Sequence, residues 1–244
     1  MLKAVTFDFW NTLYVDVHGQ DRERRRAEML RVELEALGRA VPQSALDEAL
    51  RAGFDFFDRV WVKERRTPLC GELVDSILAA LGARVPEEAR QRLVDRFELL
   101  VLDLPPEPMP GAVYVLPLLA ERYRLAVVCD TGYSPGSVLR ELLERNGMLA
   151  HFEYLYFSNE HGMSKPDVRV FQRTLAALDV RAPEAAHVGD IQRTDIAGAQ
   201  AAGMAAVHFV GANNRDAGRS TADLMVRHFD ELPAALGGLT CAGC

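Results

Sequence analysis

Four short segments of the chain place reactive side chains directly after an apolar run or at the start of a predicted helix. Their reactive residues are Asp8, Thr131 with Gly132, Lys165, and Asp190 with Asp195. Together they offer a carboxylate nucleophile, a hydroxyl group, a cation and two further acids. Transfer of a phosphoryl group needs this set, because its catalysis consists mainly of positioning and of stabilising the charge on three oxygens.

Asp8 is the candidate nucleophile, and the other residues explain how it could act. A carboxylate can attack phosphorus and form an aspartyl-phosphate, which divides one difficult hydrolysis into two easier steps. Lys165 supplies a positive charge and keeps Asp8 ionised at neutral pH. Asp8 and Asp190 are hard oxygen ligands that would hold one Mg²⁺. The cation offsets the repulsion between an anionic nucleophile and an anionic substrate.

The composition argues against several other classes of protein. The 244 residues carry a net charge of −7 and a pI near 5.4, whereas proteins that bind nucleic acid or a membrane surface usually show a basic excess. No apolar run approaches the roughly 20 residues that span a bilayer. The first residues enter a strand pattern without a charged and apolar leader. We therefore expect a cytoplasmic monomer or homodimer that acts on a small phosphorylated molecule.

The segment 17–105 has helical periodicity and predicts an all-helical insert of four or five helices. The ranges with apolar residues at helical spacing are 22–37, 42–61, 72–81 and 86–102. Glycine and proline, which end helices, separate these ranges. A proline-rich stretch at 105–111 follows and predicts a stiff linker back to the rest of the chain.

Strands and helices alternate from residue 113 onward, and this order predicts a parallel sheet with helices on both faces. The expected architecture is an α/β, doubly wound sheet formed by residues 1–16 and 106–244. Residues 17–105 would form a second, helical domain. Such sheets bind ligands at the carboxyl ends of their strands, and the reactive residues named above lie at or near those ends.

The four segments resemble, in order, the motifs of the haloacid dehalogenase superfamily of hydrolases with an aspartate nucleophile. The first motif, D-x-D-x-T-L in the phosphatases, is matched by residues 8–13 (DFWNTL). The second, an apolar strand ending in Ser or Thr, is matched loosely by residues 127–132 (VVCDTG). The third is Lys165 before Pro-Asp, and the fourth, G-D-x-x-x-x-D, is residues 189–195 (GDIQRTD). The resemblance implies a Rossmann-like core and, in the helical insert, a cap over the site.

The resemblance also implies particular roles at the metal. Asp8 and Lys165 would be the catalytic residues. The main-chain carbonyl of Trp10 would join Asp8 and Asp190 as a ligand of Mg²⁺. Asp195 would support the metal through water or through a neighbouring ligand, a role that is compatible with capping the helix that follows it.

Phosphate binding is expected from Asn11, from Lys165 and from the second motif. The family's phosphate-binding hydroxyl falls on Cys129, which is a poor hydrogen-bond donor, whereas Thr131 could supply a hydroxyl through a shifted turn. We therefore predict Thr131, supported by the amide of Gly132. Asp130 beside it either orients the loop or approaches the site itself.

Trp10 departs from the pattern, because phosphatases of the family carry at this position the acid that protonates the leaving oxygen and later activates water. General acid–base help is worth about 10²–10⁴-fold in rate. Three interpretations follow. The protein is a phosphatase that uses another acid or acts on good leaving groups; it resembles the metal-free dehalogenase branch, which has an aromatic residue here; or it binds phosphorylated ligands with little turnover.

Three further groups of residues complete the prediction. Arg65 and Arg66 precede a Thr-Pro loop of the insert and are the candidate contacts for anionic groups of the substrate. Cys241 and Cys244 form a C-x-x-C pair close to the end of the chain, interpreted as part of a mobile tail, not as a metal or redox site. His187 and the other scattered histidines have no metal-ligand spacing and are assigned no role.

Overall fold

A six-stranded parallel sheet forms the centre of the molecule in the computed structural model, which describes residues 1–239. The strands of the chain are β1 (Ala4–Phe7), β2 (Tyr14–Val15), β3 (Glu107–Pro108), β4 (Arg124–Cys129), β5 (Tyr154–Phe157), β6 (Ala185–Gly189), β7 (Ala205–Phe209) and β8 (Leu224–Val226). Within the six-stranded sheet their order is β5-β4-β1-β6-β7-β8. The predicted α/β parallel sheet is confirmed. Cys241 and Cys244 lie outside the described residues.

Helices cover both faces of the sheet, because the side chains of a strand alternate between its two sides. The helices are α1 (Gly19–Ala36), α2 (Gln43–Arg59), α3 (Cys70–Ala80), α4 (Glu87–Asp103), α5 (Ala112–Ala120), α6 (Gly136–Arg145), α7 (Ser158–His161), α8 (Val168–Ala177), α9 (Ala197–Ala201) and α10 (Leu232–Gly237). Val5 and Phe7 of β1 pack with α5, α6 and α10, whereas Ala4 packs with α8 and α9. None of the helices within residues 1–239 combines the length and the apolar character needed to cross a bilayer.

The first four helices form the helical insert and have a hydrophobic core of their own. Leu30, Leu46, Ile77 and Phe97, one residue from each helix, belong to one buried cluster that is separate from the clusters on the sheet. Burial of such faces is what stabilises helices that would be marginal alone. The insert is therefore a packed unit and not a set of loops on the sheet.

A short antiparallel ribbon joins the two ends of the insert to each other. β2 pairs with β3, with Tyr14 opposite Pro108 and Val15 opposite Glu107. The proline-rich stretch predicted as a linker thus contains a strand, and the amide of Met109 donates to the carbonyl of Leu13 at 2.8 Å. Two residues are too short for strand periodicity to show in the sequence.

Two π-helical turns interrupt the regular pattern close to the reactive residues. One, Val60–Glu64, extends α2 by a wider turn, and the other, Gln192–Ile196, precedes α9. Turns of this kind frequently occur at functional sites. Here the first carries Trp61 and the second carries Asp195.

Candidate active site

Three neighbouring strands deliver acidic residues to one edge of the sheet. Asp8 follows β1, Asp130 follows β4 and Asp190 follows β6. β1 is central, and it pairs in parallel with β4 on one side and with β6 on the other. Because parallel strands end at the same edge, the three carboxylates approach one another.

Lys165 lies at the centre of this acidic group, and its ammonium group is fully hydrogen-bonded. Nζ donates to Asp8 Oδ1 at 2.5 Å, to Asp195 Oδ1 at 2.7 Å and to the carbonyl oxygen of Val128 at 2.9 Å. An ammonium group has three protons, so all of them are used. The main-chain amide of Lys165 donates to Asp130 Oδ1 at 3.0 Å. The lysine is therefore fixed at both ends.

Burial and charge together set the protonation of these groups. Burial alone would lower the pKa of Lys165, but Asp195 and Asp8 outweigh it and raise this pKa well above its ordinary value. Burial raises the pKa of Asp8; Lys165 opposes the rise, while Asp195 and Asp190 add to it. One ammonium group therefore faces more carboxylates than it can neutralise. A further cation at this position would favour the ionised form of Asp8.

Asp190 has the free carboxylate oxygen expected of a ligand for such a cation. Its Oδ2 accepts a hydrogen bond from Asn213 Nδ2 at 2.7 Å, whereas its buried Oδ1 has no hydrogen-bond partner within residues 1–239. Oxygens of Asp8, Asp190 and Asp195 lie within 4.8 Å of one another. Buried polar atoms are normally satisfied, and hard oxygen donors are the ligands that Mg²⁺ prefers. The residues present thus fit a magnesium ion.

Asp195 is engaged by protein groups through both of its oxygens. Oδ1 accepts from Lys165 and lies 3.3 Å from His187 Nε2, and Oδ2 accepts from the amide of Ile191 at 2.9 Å. Burial would raise the pKa of Asp195, but Lys165 and His187 lower it below its ordinary value. Asp195 is therefore an ionised group that holds Lys165, and the free oxygen for a metal belongs to Asp190.

His187, which the sequence left without a role, lies beneath Asp195. Its Nδ1 is 2.7 Å from Thr6 Oγ1, and its Nε2 faces Asp195. Burial lowers the pKa of His187, so the ring is neutral and Nε2–H donates to the ionised Asp195. The sequence does contain a signal for this contact. His187 lies on β6, three residues before Asp190, and the alternation of side chains along the strand directs it to the face of the sheet that carries α8 and α9.

A cavity of about 130 Å³ contains the reactive residues. Besides Lys165 and the four acids described above, Trp10 and Asn11 contribute to its wall from the loop after β1. Phe57 and Trp61 contribute from the insert, opposite the sheet. The structure thus brings together Asp8, Asn11, Lys165, Asp190 and Asp195, as their order in the sequence suggested.

Thr131 and Gly132 are not among the residues that line this cavity. The buried hydroxyl of Thr131 lies 3.1 Å from Ser158 Oγ and accepts from the amide of Asn159 at 3.2 Å. It therefore joins the loop after β4 to the start of α7. The Cys129 thiol is fully buried, as expected from its place at the end of an apolar run.

Asp130 is the residue of this loop that reaches the cavity. Its Oδ2 accepts from Trp61 Nε1 at 2.8 Å, which links the sheet to the insert, and its Oδ1 accepts from Lys165. Burial raises the pKa of Asp130 to about 6. Asp130 therefore both orients the loop and approaches the site. In the sequence, Trp61 is only the last of several aromatic residues in the predicted helix 42–61.

A second cavity, of about 570 Å³, adjoins the first at Trp10, which lines both. Arg22 and Arg26 of α1 and Phe54 of α2 lie on one side, and Tyr133 from the loop after β4 lies on the other. The larger cavity is therefore formed between the insert and the sheet.

Arg65 and Arg66 are not among the residues lining either cavity. Arg66 forms ion pairs with Glu64 and Glu72, each at 3.0 Å. Arg65 has a φ of 53°, and its carbonyl accepts from the amide of Ser164 at 2.9 Å. In this structure the two arginines organise the loop between the insert and the Lys165 segment.

Comparison with known proteins places the chain among hydrolases. A phosphoserine phosphatase of Thermus thermophilus is 41% identical over 88 residues, which are 36% of this chain and 35% of that protein. A glyceraldehyde 3-phosphate phosphatase of Methanothermobacter thermautotrophicus is 30% identical over 213 residues, 85% of each chain. The match to the first thus spans about a third of its length, whereas the second matches over most of both chains.

The fold is shared with solved structures of the same group. A 2-haloacid dehalogenase from Pseudomonas syringae superposes with a TM-score of 0.73 over 97% of this chain and 99% of that one, at 24% identity. A phosphatase of Thermococcus onnurineus superposes with a TM-score of 0.66 at 22% identity, over 97% and 99% of the two chains. Residues 2–203 match the family described as haloacid dehalogenase-like hydrolase. The chain therefore belongs to the haloacid dehalogenase-like hydrolases.

Proposed function

We propose that this protein is a Mg²⁺-dependent phosphatase that hydrolyses small phosphate monoesters through an aspartyl-phosphate on Asp8. The observation that carries the proposal is the contact of Asp8 with Lys165 at 2.5 Å, beside an Asp190 oxygen that has no hydrogen-bond partner among the described residues. A buried nucleophile, a cation and a metal-ligand position in one cavity are what attack on an anionic ester needs. Two phosphatases among the relatives agree with this chemistry.

The residues of the chain would divide the work as follows. Lys165 holds Asp8 in place through one oxygen, so the other oxygen can attack phosphorus while the bond to the leaving oxygen breaks. Asn11, which also lines the small cavity, would contact the phosphoryl oxygens. Asp8, Asp190 and the main-chain carbonyl of Trp10 would hold Mg²⁺. When bound, the cation would neutralise charge on the phosphoryl group and on Asp8.

The helical insert would serve as a cap, formed by residues 17–105. Phe57 and Trp61 already close the small cavity from the insert side. Excluding water strengthens electrostatic interactions within a site and protects a covalent intermediate. A phosphoryl group would occupy the small cavity, and the rest of the ester would extend past Trp10 into the larger one. We also predict that the enzyme is cytoplasmic and that it is a monomer or a homodimer.

Hydrolysis of a carbon–halogen bond is the second candidate, and Trp10 is the observation that favours it. A halide leaves without a proton, so an indole is acceptable where phosphatases carry an acid. Asp190, however, would repel the carboxylate of a 2-haloacid, and that reaction needs no cation. The charge of the site therefore favours phosphoryl transfer. Binding of phosphorylated ligands with little turnover is the remaining alternative.

A comparison of two substrates separates these functions. We expect the purified protein with Mg²⁺ to release phosphate from p-nitrophenyl phosphate, to lose this activity in EDTA, and to release no chloride from 2-chloropropionate. The matched control is Asp55→Asn, which changes an exposed aspartate of α2 and should leave the rates unchanged. Chloride release without added metal would replace the proposal with dehalogenation. Saturable binding of phosphate without turnover of any ester would leave a binding protein.

A further inference from the structure

We propose that Asp130 is the general acid and base of the reaction, in place of the acid that Trp10 displaces from the first motif. This inference rests on the proposed phosphatase function. Asp130 lines the same cavity of about 130 Å³ as Asp8, Trp10 and Lys165. It follows β4, the direct neighbour of the strand that carries the nucleophile.

The other acids of the cavity are occupied by different tasks. Asp8 is the nucleophile, Asp190 offers its free oxygen to the cation, and both oxygens of Asp195 accept from protein groups. Asp130 is thus the remaining carboxyl group with access to the cavity. Burial raises its pKa to about 6, so both protonation states are populated close to neutral pH.

Its surroundings hold the carboxyl group in one orientation. Trp61 Nε1 donates to one oxygen at 2.8 Å, and the main-chain amide of Lys165 donates to the other at 3.0 Å. Each carboxyl oxygen has a second lone-pair position, and one of these can carry a proton. The two hydrogen bonds therefore fix the orientation of the Asp130 carboxyl group, as a general acid requires.

The two half-reactions move a proton in opposite directions through the same carboxyl group: one proton leaves with the alcohol, and another is taken from water. In the first, an oxygen of Asp8 forms a bond to phosphorus, the bond from phosphorus to the leaving oxygen breaks, and protonated Asp130 gives its proton to that oxygen. In the second, ionised Asp130 takes a proton from water as the water oxygen attacks phosphorus. The bond between Asp8 and phosphorus breaks, which releases phosphate and restores both carboxyl groups.

The test is the dependence of rate on the leaving group. For Asp130→Asn we expect kcat/KM, which reports attack by Asp8 and departure of the leaving group, to fall about 10²–10⁴-fold with alkyl phosphates and to change little with 2,4-dinitrophenyl phosphate, whose leaving group needs no proton. Because attack by water is common to all esters, kcat should fall with 2,4-dinitrophenyl phosphate as well. Trp10→Asp in the Asp130→Asn background should restore part of the alkyl-ester activity. Variants are compared at equal folded fraction, measured by circular dichroism. Asp55→Asn is again the control.

Three outcomes have distinct meanings. An equal fall in kcat/KM with all esters would overturn the role of Asp130 and leave it a positioning residue of the Lys165 loop. Unchanged alkyl-ester hydrolysis would also overturn it. Absence of turnover of 2,4-dinitrophenyl phosphate by the natural protein would instead refute the phosphatase function itself.

A different observation leads to the chemical class of the substrate. We infer that the cavity of about 570 Å³ binds the leaving group of an ester that carries a second anion, and that Arg26 is the partner of this anion. The volume lies within the range of small-molecule sites, roughly 300–1,000 Å³. Trp10 lines both this cavity and the one that contains the nucleophile. This inference likewise depends on the proposed function.

Arg26 is a partly buried cation with no counter-ion among residues 1–239. Its buried Nε has no hydrogen-bond partner, and its side chain forms no ion pair within residues 1–239. Its guanidinium group instead lies 3.9 Å from the centroid of the Tyr133 ring. The neighbouring Arg22, by contrast, is paired with Asp16 and donates to the carbonyl of Leu104 at 2.6 Å.

An unpaired cation removed from water raises the free energy of the protein unless an anion reaches it. Burial lowers the pKa of Arg26, which reflects the same cost. A guanidinium group offers two parallel N–H donors, which match the oxygens of a carboxylate or a phosphate. The expected substrate is therefore a small phosphate ester whose alcohol part carries a carboxylate or a second phosphate.

Three matched esters test this assignment: glycerol 3-phosphate, 3-phosphoglycerate and glycerol 1,3-bisphosphate. We expect a higher kcat/KM for one or both of the last two, which also tells carboxylate from phosphate. Arg26→Gln should reduce that preference about 10- to 100-fold, as loss of a charge-assisted hydrogen bond would, and leave glycerol 3-phosphate nearly unchanged. Arg31→Gln changes a more exposed arginine of the same helix that pairs with Glu28, and serves as control.

The assignment fails if the natural protein prefers glycerol 3-phosphate, or if Arg26→Gln lowers all three rates equally. Arg26→Lys keeps the charge and should retain part of the preference. A protein that hydrolyses p-nitrophenyl phosphate but shows no preference among the three esters would refute only the Arg26 site. No turnover of any ester would refute the proposed function.

Discussion

Asp8 combines two requirements that normally conflict, since a nucleophile must be ionised and a buried carboxylate resists ionisation. Lys165 at 2.5 Å reconciles them in part, and a metal at Asp190 would complete the balance. The side chain therefore depends on its neighbours for reactivity.

Asp8→Asn should abolish turnover and leave the fold intact. Loss of a nucleophile typically costs about 10⁴–10⁶-fold in kcat. The amide is neutral and nearly the same size, so it removes one carboxylate from a group with excess negative charge. We expect an unchanged or higher Tm, measured by differential scanning fluorimetry in EDTA, beside the loss of p-nitrophenyl phosphate hydrolysis. Retained activity would show that another residue attacks phosphorus.

Asp190 should make the effect of Mg²⁺ on stability depend on pH. Burial raises the pKa of Asp190 to about 6, so the metal-free folded state gains stability below its unfolded pKa near 3.8 and loses it as pH rises toward 6. Above that pH the ionised group is available to the cation. We expect Mg²⁺ to raise Tm clearly at pH 7.5 and little at pH 5, and Asp190→Asn to remove the difference. An equal rise at both pH values would exclude Asp190 as the ligand.

How much of the site the sequence could predict depends on the type of segment. Asp8 and Asp190 end buried strands, and the carboxyl ends of parallel strands meet whatever the details of packing. Thr131 lies in an irregular loop, where the direction of a side chain is decided by partners such as Ser158, 27 residues away. Spacing along the chain cannot show that contact. For the same reason the sequence supports two interpretations of Asp130, one residue earlier.

At the scale of elements, apolar periodicity predicts the longer helices and strands of the sheet region, but not α7, which has only four residues. The ribbon of β2 and β3 was missed because two residues carry no period. The π-helical turns were missed for a related reason. A turn of five residues, as at Gln192–Ile196, depends on what packs against it.

Gly189 shows how closely one such turn approaches the sheet. A Cβ at Gly189 would lie 2.4 Å from Asp195 Cγ, closer than real atoms come. Gly189→Ala should therefore displace Asp195 from Lys165, lowering the free energy of unfolding by about 1–3 kcal/mol and reducing kcat. Urea denaturation and steady-state kinetics measure the two effects. Gly218→Ala, where a Cβ would meet no atom within 4 Å, is the control. Equal stability of both variants would mean that the turn adjusts freely.

At the scale of the whole molecule, the insert and the sheet both contribute side chains to the same site. The sheet supplies the charged groups, and the insert supplies Phe57 and Trp61 as the opposite wall. The hydrogen bond from Trp61 to Asp130 is a direct link between the two. Binding of an anion in the small cavity should therefore change the surroundings of residues from both the sheet and the insert.

The tryptophans make this expectation measurable, because the chain has two, and Trp10 and Trp61 both line the small cavity. In Trp10→Phe the emission reports the insert, and in Trp61→Phe it reports the loop after β1. Titration with orthovanadate in the presence of Mg²⁺ should change the emission of both variants with similar midpoints, since one phosphoryl mimic occupies one cavity. Asp190→Asn in either background should weaken the response. A change in Trp10 alone would show that the insert does not close over the phosphoryl group, and would confine the site to the sheet.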